Sequence, residues 1–476
     1  MAPVTDFAVK EKYTYFNGLS NYHESEAIPG ASPLVNNSPQ KPPYGLRTER
    51  ISGTSFTAPR DQTLQTWMYR AVSSLDHSDF VPYEAAPPAP TNISPNAYMW
   101  LNFPAEKDAT WLDQKLLGRN GEPIGKDGCA IWIFNMTADM PEKTVFSSLD
   151  GDCLIILHAG AMDIQTELGK LLVRQNEIAV IPRGTRYRIT LPTGAARGTI
   201  CELFQGHYQL PSLGAIGSTG LANVRDFQIP KAHFDGDVRD GRATPHNTGD
   251  WTIISRLSGR LWSCTPNHTP FDVAAWHGTS YPYKYDLARF CVMGNMLFDE
   301  HDPSLYVVLT VPTHAEPGTA VVDFAIVPPR WNVAEDTLWI PYYHRNTMSK
   351  FFGTIVNAQE EGRLGSFCVW VEWGGVVTHG AEEETFQKAS NGELSPKKVQ
   401  DDGFSIFLLE TEKPLMLSDW AEGMRAKREG RGVESCDEAV VYHYSRHHVL
   451  KHVVSDIESS LIQRRNKLCQ LPANSS

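Results

Sequence analysis

The chain has 476 residues, with 43 Lys and Arg against 55 Asp and Glu, and is 41% hydrophobic and 10% aromatic. This composition excludes a collagen-like, coiled-coil or wholly disordered protein, and the length exceeds what one hydrophobic core organises, so two domains are expected. A net charge of -12 argues against a nucleic-acid partner, because that affinity rests on clustered Lys and Arg neutralising phosphates.

The first residues (MAPVTDFAVKEKYTYF) contain no apolar h-region, so no signal peptide is expected. The apolar runs are strand-length and far short of the roughly 20 residues that span a bilayer, so no membrane partner is expected. Eight cysteines without a C-x-x-C pair read as reduced, mostly buried thiols of a cytoplasmic protein. Pro59 to Ala71 is predicted as a short helix and the Pro-rich stretch Tyr83 to Pro95 as an extended connector. Strands follow at Cys153 to Leu157, Leu171 to Val173, Ile178 to Ile181 and Tyr187 to Leu191, with turns at Gly160, Gly169 and Pro182 to Gly184. Leu213 to Pro230 is a Gly-dotted link to a second series: Leu305 to Val311, Ala320 to Val327, Gly353 to Val356, Phe367 to Glu372 and Phe404 to Leu409. Helices are expected at Asp419 to Lys427 and Val453 to Asn466. Short strands at intervals of roughly 8–12 residues indicate antiparallel sandwiches or barrels.

Gly214, Gly217 and Gly220 do not form a dinucleotide fingerprint, since no βαβ pattern surrounds them. The chemical resource is histidine, of which there are 16. Tyr342-Tyr343-His344-Arg345-Asn346 followed by Thr378-His379-Gly380 offers two imidazoles. Two histidines and a carboxylate on three positions of an iron leave the others open for dioxygen and substrate.

From about Asn17 to Trp420 the sequence resembles the homogentisate 1,2-dioxygenase family. The resemblance is carried by Gly18 to Glu26, Asn37 to Gln40, Ser52 to Arg60, Asp150-Gly151-Asp152, Gly220 to Asn223, Trp276-His277-Gly278, Pro282 to Tyr285, Asp302-Pro303-Ser304, Pro328 to Trp331 and Pro341 to Asn346. It implies a mainly β fold with few short helices. An N-terminal β-sandwich over residues 1–285, including the connector near 83–95, packs on a cupin-like metal-binding barrel over 286–440. A helical extension follows at 441–476. It further implies Fe(II) or Fe(III), dioxygen, a small aromatic substrate and a homo-oligomer, trimer or hexamer.

Carried over residue by residue, the iron ligands would be His344 and His379, but the position of the family's glutamate ligand holds Lys350. Glu300 stands where the family has a substrate-contacting histidine, with His301 one place later. Gln359 replaces a tyrosine, and Trp373 a histidine. Three readings of Lys350 follow. The site has lost its metal and the protein is a non-catalytic relative acting in binding or assembly. Or Lys350 reacts with CO₂ and ligates iron as a carbamate. Or Glu300 or Glu382 supplies the carboxylate.

The carbamate reading leads to a non-haem iron dioxygenase that cleaves a ring of a phenolic or quinone-type polyketide, as in secondary metabolism. Lys350, His344 and His379 would be ligands, and His301 a fourth ligand or the base. Arg345 would hold an acidic substrate group, with Gln359, Trp373 and Glu300 lining the substrate. Homogentisate cleavage by a rearranged site is the remaining alternative. A shared metal requires residues 345–349 to turn back, since six extended residues span about 20 Å and two ligands of one metal stand about 4 Å apart. Elsewhere the plain readings are preferred: His277 and His23 as packing residues, His443, His447, His448 and His452 as a solvated helix face, Glu382 to Glu384 as a solvated loop, and Arg60 and Arg183 as ion-pair partners.

Overall fold

The computed structural model describes residues 29–70, 95–290 and 306–429, less several internal stretches, of which 212–221, 274–279, 357–367 and 377–382 bear on the predicted site. The fold is mainly β, and among the described residues its two large sheets have 12 and six strands. Among the described residues the α-helices are Glu383–Ser390 and Asp419–Glu429. None of the described helices is long and apolar enough to cross a membrane.

The larger sheet is built around one 15-residue strand, Asp152–Thr166. Its first half pairs with Ala196–Leu203 and Glu177–Ile181, and its second half with Gly169–Arg174 and Tyr187–Thr190. Gly160 was expected to end this strand. Instead the chain runs on through a register irregularity, with Gly160 at φ +79°, so the strand bends and serves both sides of a sandwich. The apolar interior includes Phe134, Phe146, Ile155, Ile164 and Tyr187.

The second sheet has six strands, in the order Tyr306–Pro312, Ala320–Val327, Ser405–Thr411, Ser349–Val356, Val369–Glu372 and Tyr98–Trp100. Side chains alternate along a strand, and both faces are covered. Phe351, Ile355, Val371, Phe407 and Leu409 join Leu117, Ile131 and Leu203 of the first sheet in one core. Ala325, Phe352, Ile406 and Leu408 form a separate cluster on the other face.

The halves exchange strands. Tyr98–Trp100 completes the edge of the six-stranded sheet, and Met416–Leu417 from the second half pairs with Lys115–Asn120. A three-stranded sheet joins Gln65–Arg70 and Arg47–Ser52 to Tyr343–Arg345. The helix expected over Pro59 to Ala71 is therefore wrong from Gln65 on: QTWMYR is a strand, paired residue for residue with Arg47–Ser52. Tertiary pairing overrides a weak local preference there. The loop expected at Glu382 to Glu384 is also corrected, since Glu383 opens a helix. The connector through residue 94, the helix at Val453 to Asn466 and the C-terminal histidines lie outside the described residues.

Gly353 allows a close approach within the six-stranded sheet. It lies opposite Phe407, and a Cβ there would come 2.2 Å from the Phe407 ring. That ring also packs on Phe351 and His158, so it has little room to yield. Gly353→Ala is expected to destabilise the protein by about 1–3 kcal/mol. Thermal denaturation would show this as a lowered melting temperature.

Candidate functional site

Tyr343–Arg345 lies parallel to Arg47–Ser52, with His344 beside Arg50. Past Arg345 the chain leaves that sheet. Asn346 Nδ2 donates to Glu410 Oε1, and Gly375 N–H donates to the Asn346 carbonyl at 2.6 Å. Ser349 then enters the six-stranded sheet. Residues 345–349 thus turn back, and Lys350 Nζ meets His344 Nε2. His344 is 7% exposed and Lys350 1%. A lysine ammonium can only donate, so in that state Nε2 accepts and the ring proton sits on Nδ1. The same Nε2 lone pair is the one a metal ion would take.

Lys350 does not stand alone. It lies opposite Glu372 on one neighbouring strand and Glu410 on the other, and Glu410 lies opposite Asp323. Partners directly across antiparallel strands share a face, with Cβ atoms about 4.5–5.5 Å apart. The sheet therefore carries a transverse row, Asp323, Glu410, Lys350, Glu372, in which each residue is at most 2% exposed. Phe352, two residues on from Lys350, stacks on Trp370, two residues before Glu372, with ring centroids 4.8 Å apart. These rings wall the row off on one side.

Asp323 accepts from the Thr310 hydroxyl and from Thr57 Oγ1 at 2.9 Å. Burial nevertheless pushes its pKa up to about 6, against the lowering effect of the Thr310 and Thr57 hydrogen bonds. Arg50 is buried as well, with its guanidinium 5.6 Å from the Trp67 ring centroid.

The sequence-predicted residues fall into three groups. His344 and Lys350 are brought together. Arg345 and Trp373 are not brought to them. Arg345 follows His344 on a strand and emerges on the opposite face. The Trp373 ring, expected at the substrate, belongs instead to the core between the sheets: it meets Tyr98 edge-on at 5.2 Å and donates to the Leu415 carbonyl at 3.1 Å. It alternates with Glu372, which takes the row's side. Glu300, His301, Gln359, His379, Glu382 and His277 lie outside the described residues.

Among the described residues no three His, Cys, Asp or Glu side chains gather closely enough to hold a metal. The donor chemistry nevertheless suits a dication, with a buried imidazole and buried carboxylates on adjoining strands of one face.

Sequence reading missed Glu372, Glu410, Asp323 and Arg50. Asp323, Glu410 and Glu372 are each the one charged residue of a largely apolar strand, in AVVDFAIV, SIFLLET and VWVE. A charge in such a run was the available signal. Arg183 behaves as expected, ion-paired to Asp152 at 2.8 Å and capping the carbonyls of Phe204 and Gly206. A cavity of about 480 Å³ beside it, lined by His207, Tyr208 and Tyr283 among others, contains none of the predicted site residues.

Residues 14–287 match homogentisate 1,2-dioxygenase N-terminal, and residues 288–439 match homogentisate 1,2-dioxygenase C-terminal. The chain belongs to the homogentisate 1,2-dioxygenase family. Its relatives include the homogentisate 1,2-dioxygenase of Emericella nidulans, 47% identical over 88% of this chain and 93% of that one. The Drosophila melanogaster protein of the same name is 39% identical over 86% of this chain and 94% of that one. Family members are ring-cleaving dioxygenases, and the family's two-part division falls where Tyr283–Asp286 closes the first sheet and Tyr306–Pro312 opens the second.

The Asp323 carboxyl gives a prediction of sign. Its pKa when folded, about 6, lies above its usual 3.8. The native state therefore holds this proton more tightly than the unfolded chain, and stability from this group falls as pH rises from about 4 to 6. Asp323→Asn should flatten that part of the stability–pH curve. The difference should approach about 2–3 kcal/mol above pH 6, read from urea midpoints across the range.

Proposed function

We propose that this protein is a non-haem iron dioxygenase that opens a ring of a phenolic or quinone-type substrate of polyketide origin rather than homogentisate. The observation that carries the reading is the fully buried Lys350 against His344, at the position where the family has its carboxylate ligand, within a frame that is otherwise the family's. Fold and chemistry are separable, so a chain that keeps the family's fold can carry a changed site.

His344 and His379 would hold the iron. A third, anionic donor is needed, and Lys350 as its CO₂-derived carbamate or a carboxylate of the flanking row can provide it. Iron supplies the positions at which dioxygen and a phenol are brought side by side. The remaining work belongs to the chain. His301 would take the phenolic proton. Gln359 and Glu300 would fix the ring by hydrogen bonds in place of contacts suited to a small acid. Phe352 and Trp370 limit water around Lys350. The protein would act as a cytoplasmic homo-oligomer.

Two measurements test this. Elemental analysis of freshly purified protein should give about one iron per chain; protein that takes up none, even after anaerobic loading, is the non-catalytic relative. Oxygen uptake should be seen with polyhydroxylated anthraquinones or related quinols and be at least about tenfold slower with homogentisate. Rapid formation of maleylacetoacetate from homogentisate would overturn the altered specificity.

A further inference from the structure

We propose that Glu372 supplies the anionic ligand that the family carries at the position of Lys350, and that Lys350 is the ammonium that orients it. This rests on the iron reading above and names the donor which that reading leaves open.

Three observations carry it. The first is register. Glu372 lies directly across the strand pair from Lys350, on the same face and 2% exposed. A carboxylate moved one strand across is displaced by about 4.8 Å, a shift that the three torsions of a glutamate can take up.

The second is the backbone around it. Gly374 N–H donates to Ser349 Oγ at 3.1 Å, and Gly375 N–H donates to the Asn346 carbonyl. The turn after Glu372 is therefore stapled to the short link between His344 and Lys350. The staple is tight, since a Cβ on Gly374 would come 2.7 Å from the Thr347 carbonyl oxygen. Glu410 is the other carboxylate flanking Lys350, but it receives the Asn346 amide and lies on the Asp323 side of the row.

The third is charge. Glu372 and Glu410 flank Lys350 in register on both neighbouring strands, so an ammonium there has a carboxylate side chain on each side of it in the sheet. A carbamate would instead place a third anion between them, and like charges directly opposite are destabilising. With a metal on His344 Nε2, Lys350 would leave that lone pair and donate to the carboxylates; Glu372 would hold the metal and Lys350 would orient it, as hydrogen-bonding partners orient carboxylate ligands elsewhere.

The test titrates Co(II) alone into metal-free full-length protein by calorimetry, with circular dichroism and melting temperature as the check on folding. Wild type should bind one Co(II) per chain. Glu372→Gln should bind more than about 100-fold more weakly, and Lys350→Met should retain binding. Adding Lys350→Glu to Glu372→Gln should restore it. Wild-type-like binding by Glu372→Gln overturns the proposal. So does loss of binding by Lys350→Met together with a carbamate carbon signal from wild type in ¹³C-bicarbonate. If Glu372→Gln does not fold, Lys350→Met decides alone: retention supports the proposal and loss overturns it. Wild type that binds neither Co(II) nor Fe(II) overturns the iron reading itself, and this inference with it.

Discussion

Lys350 is buried to 1% exposure inside a β-sheet, and a lysine there can carry its charge only if anions are brought to it. Removing an ion from water costs several kcal/mol even after relaxation, and only close, well-placed partners offset that. Lys350 meets this constraint through position: antiparallel pairing on both flanks sets Glu372 and Glu410 opposite it, and Asp323 extends the row. Asn346, Thr310 and Thr57 then hydrogen-bond the carboxylates. The sequence AVVDFAIV would otherwise make an unremarkable apolar strand; its single aspartate belongs to this row.

The row is held between two packed faces, and neither half of the chain builds both alone. Phe351, Val371 and Phe407 pack against Leu117, Ile131 and Leu203 of the first sheet. Among the described residues the strand bearing His344 pairs with Arg47–Ser52 alone, from the opposite end of the chain. The site is therefore a product of exchange between the halves. A disturbance near residue 50 or residue 98 reaches it through hydrogen-bonded strands. Among such large, interlocked sheets, a site geometry can be kept while its ligands change, because the backbone is over-determined by packing.

Family membership and site chemistry are different levels of evidence. Identity of 47% with the Emericella nidulans protein covers nearly the whole fold. Only a few side chains decide what the site binds. At position 350 the resemblance implies an exchange of glutamate for lysine, a change of charge in a buried place. The neighbouring strand carries a glutamate directly opposite that position, so the departure is best considered as a pair of residues.

The sequence by itself determined the family, the mainly β class and most strands of both series, because strand-length apolar runs bounded by Gly and Pro are local signals. It also singled out His344 and Lys350, six residues apart, and required a turn between them. It misread Gln65–Arg70 as helix and Gly160 as a turn, since strand pairing across the chain and a bend within one long strand are not written locally. It offered a carbamate on Lys350, or Glu300 or Glu382, as the missing anion, and did not remark the buried Glu372 and Glu410 on the strands that flank Lys350. It placed Trp373 at the substrate, although alternation gives that face to Glu372. Only the tertiary structure decided the strand pairing, the bend at Gly160 and the place of the Trp373 ring. Which side chains share a face follows from register between distant strands, and a slip of one residue would turn every one of them to the other side.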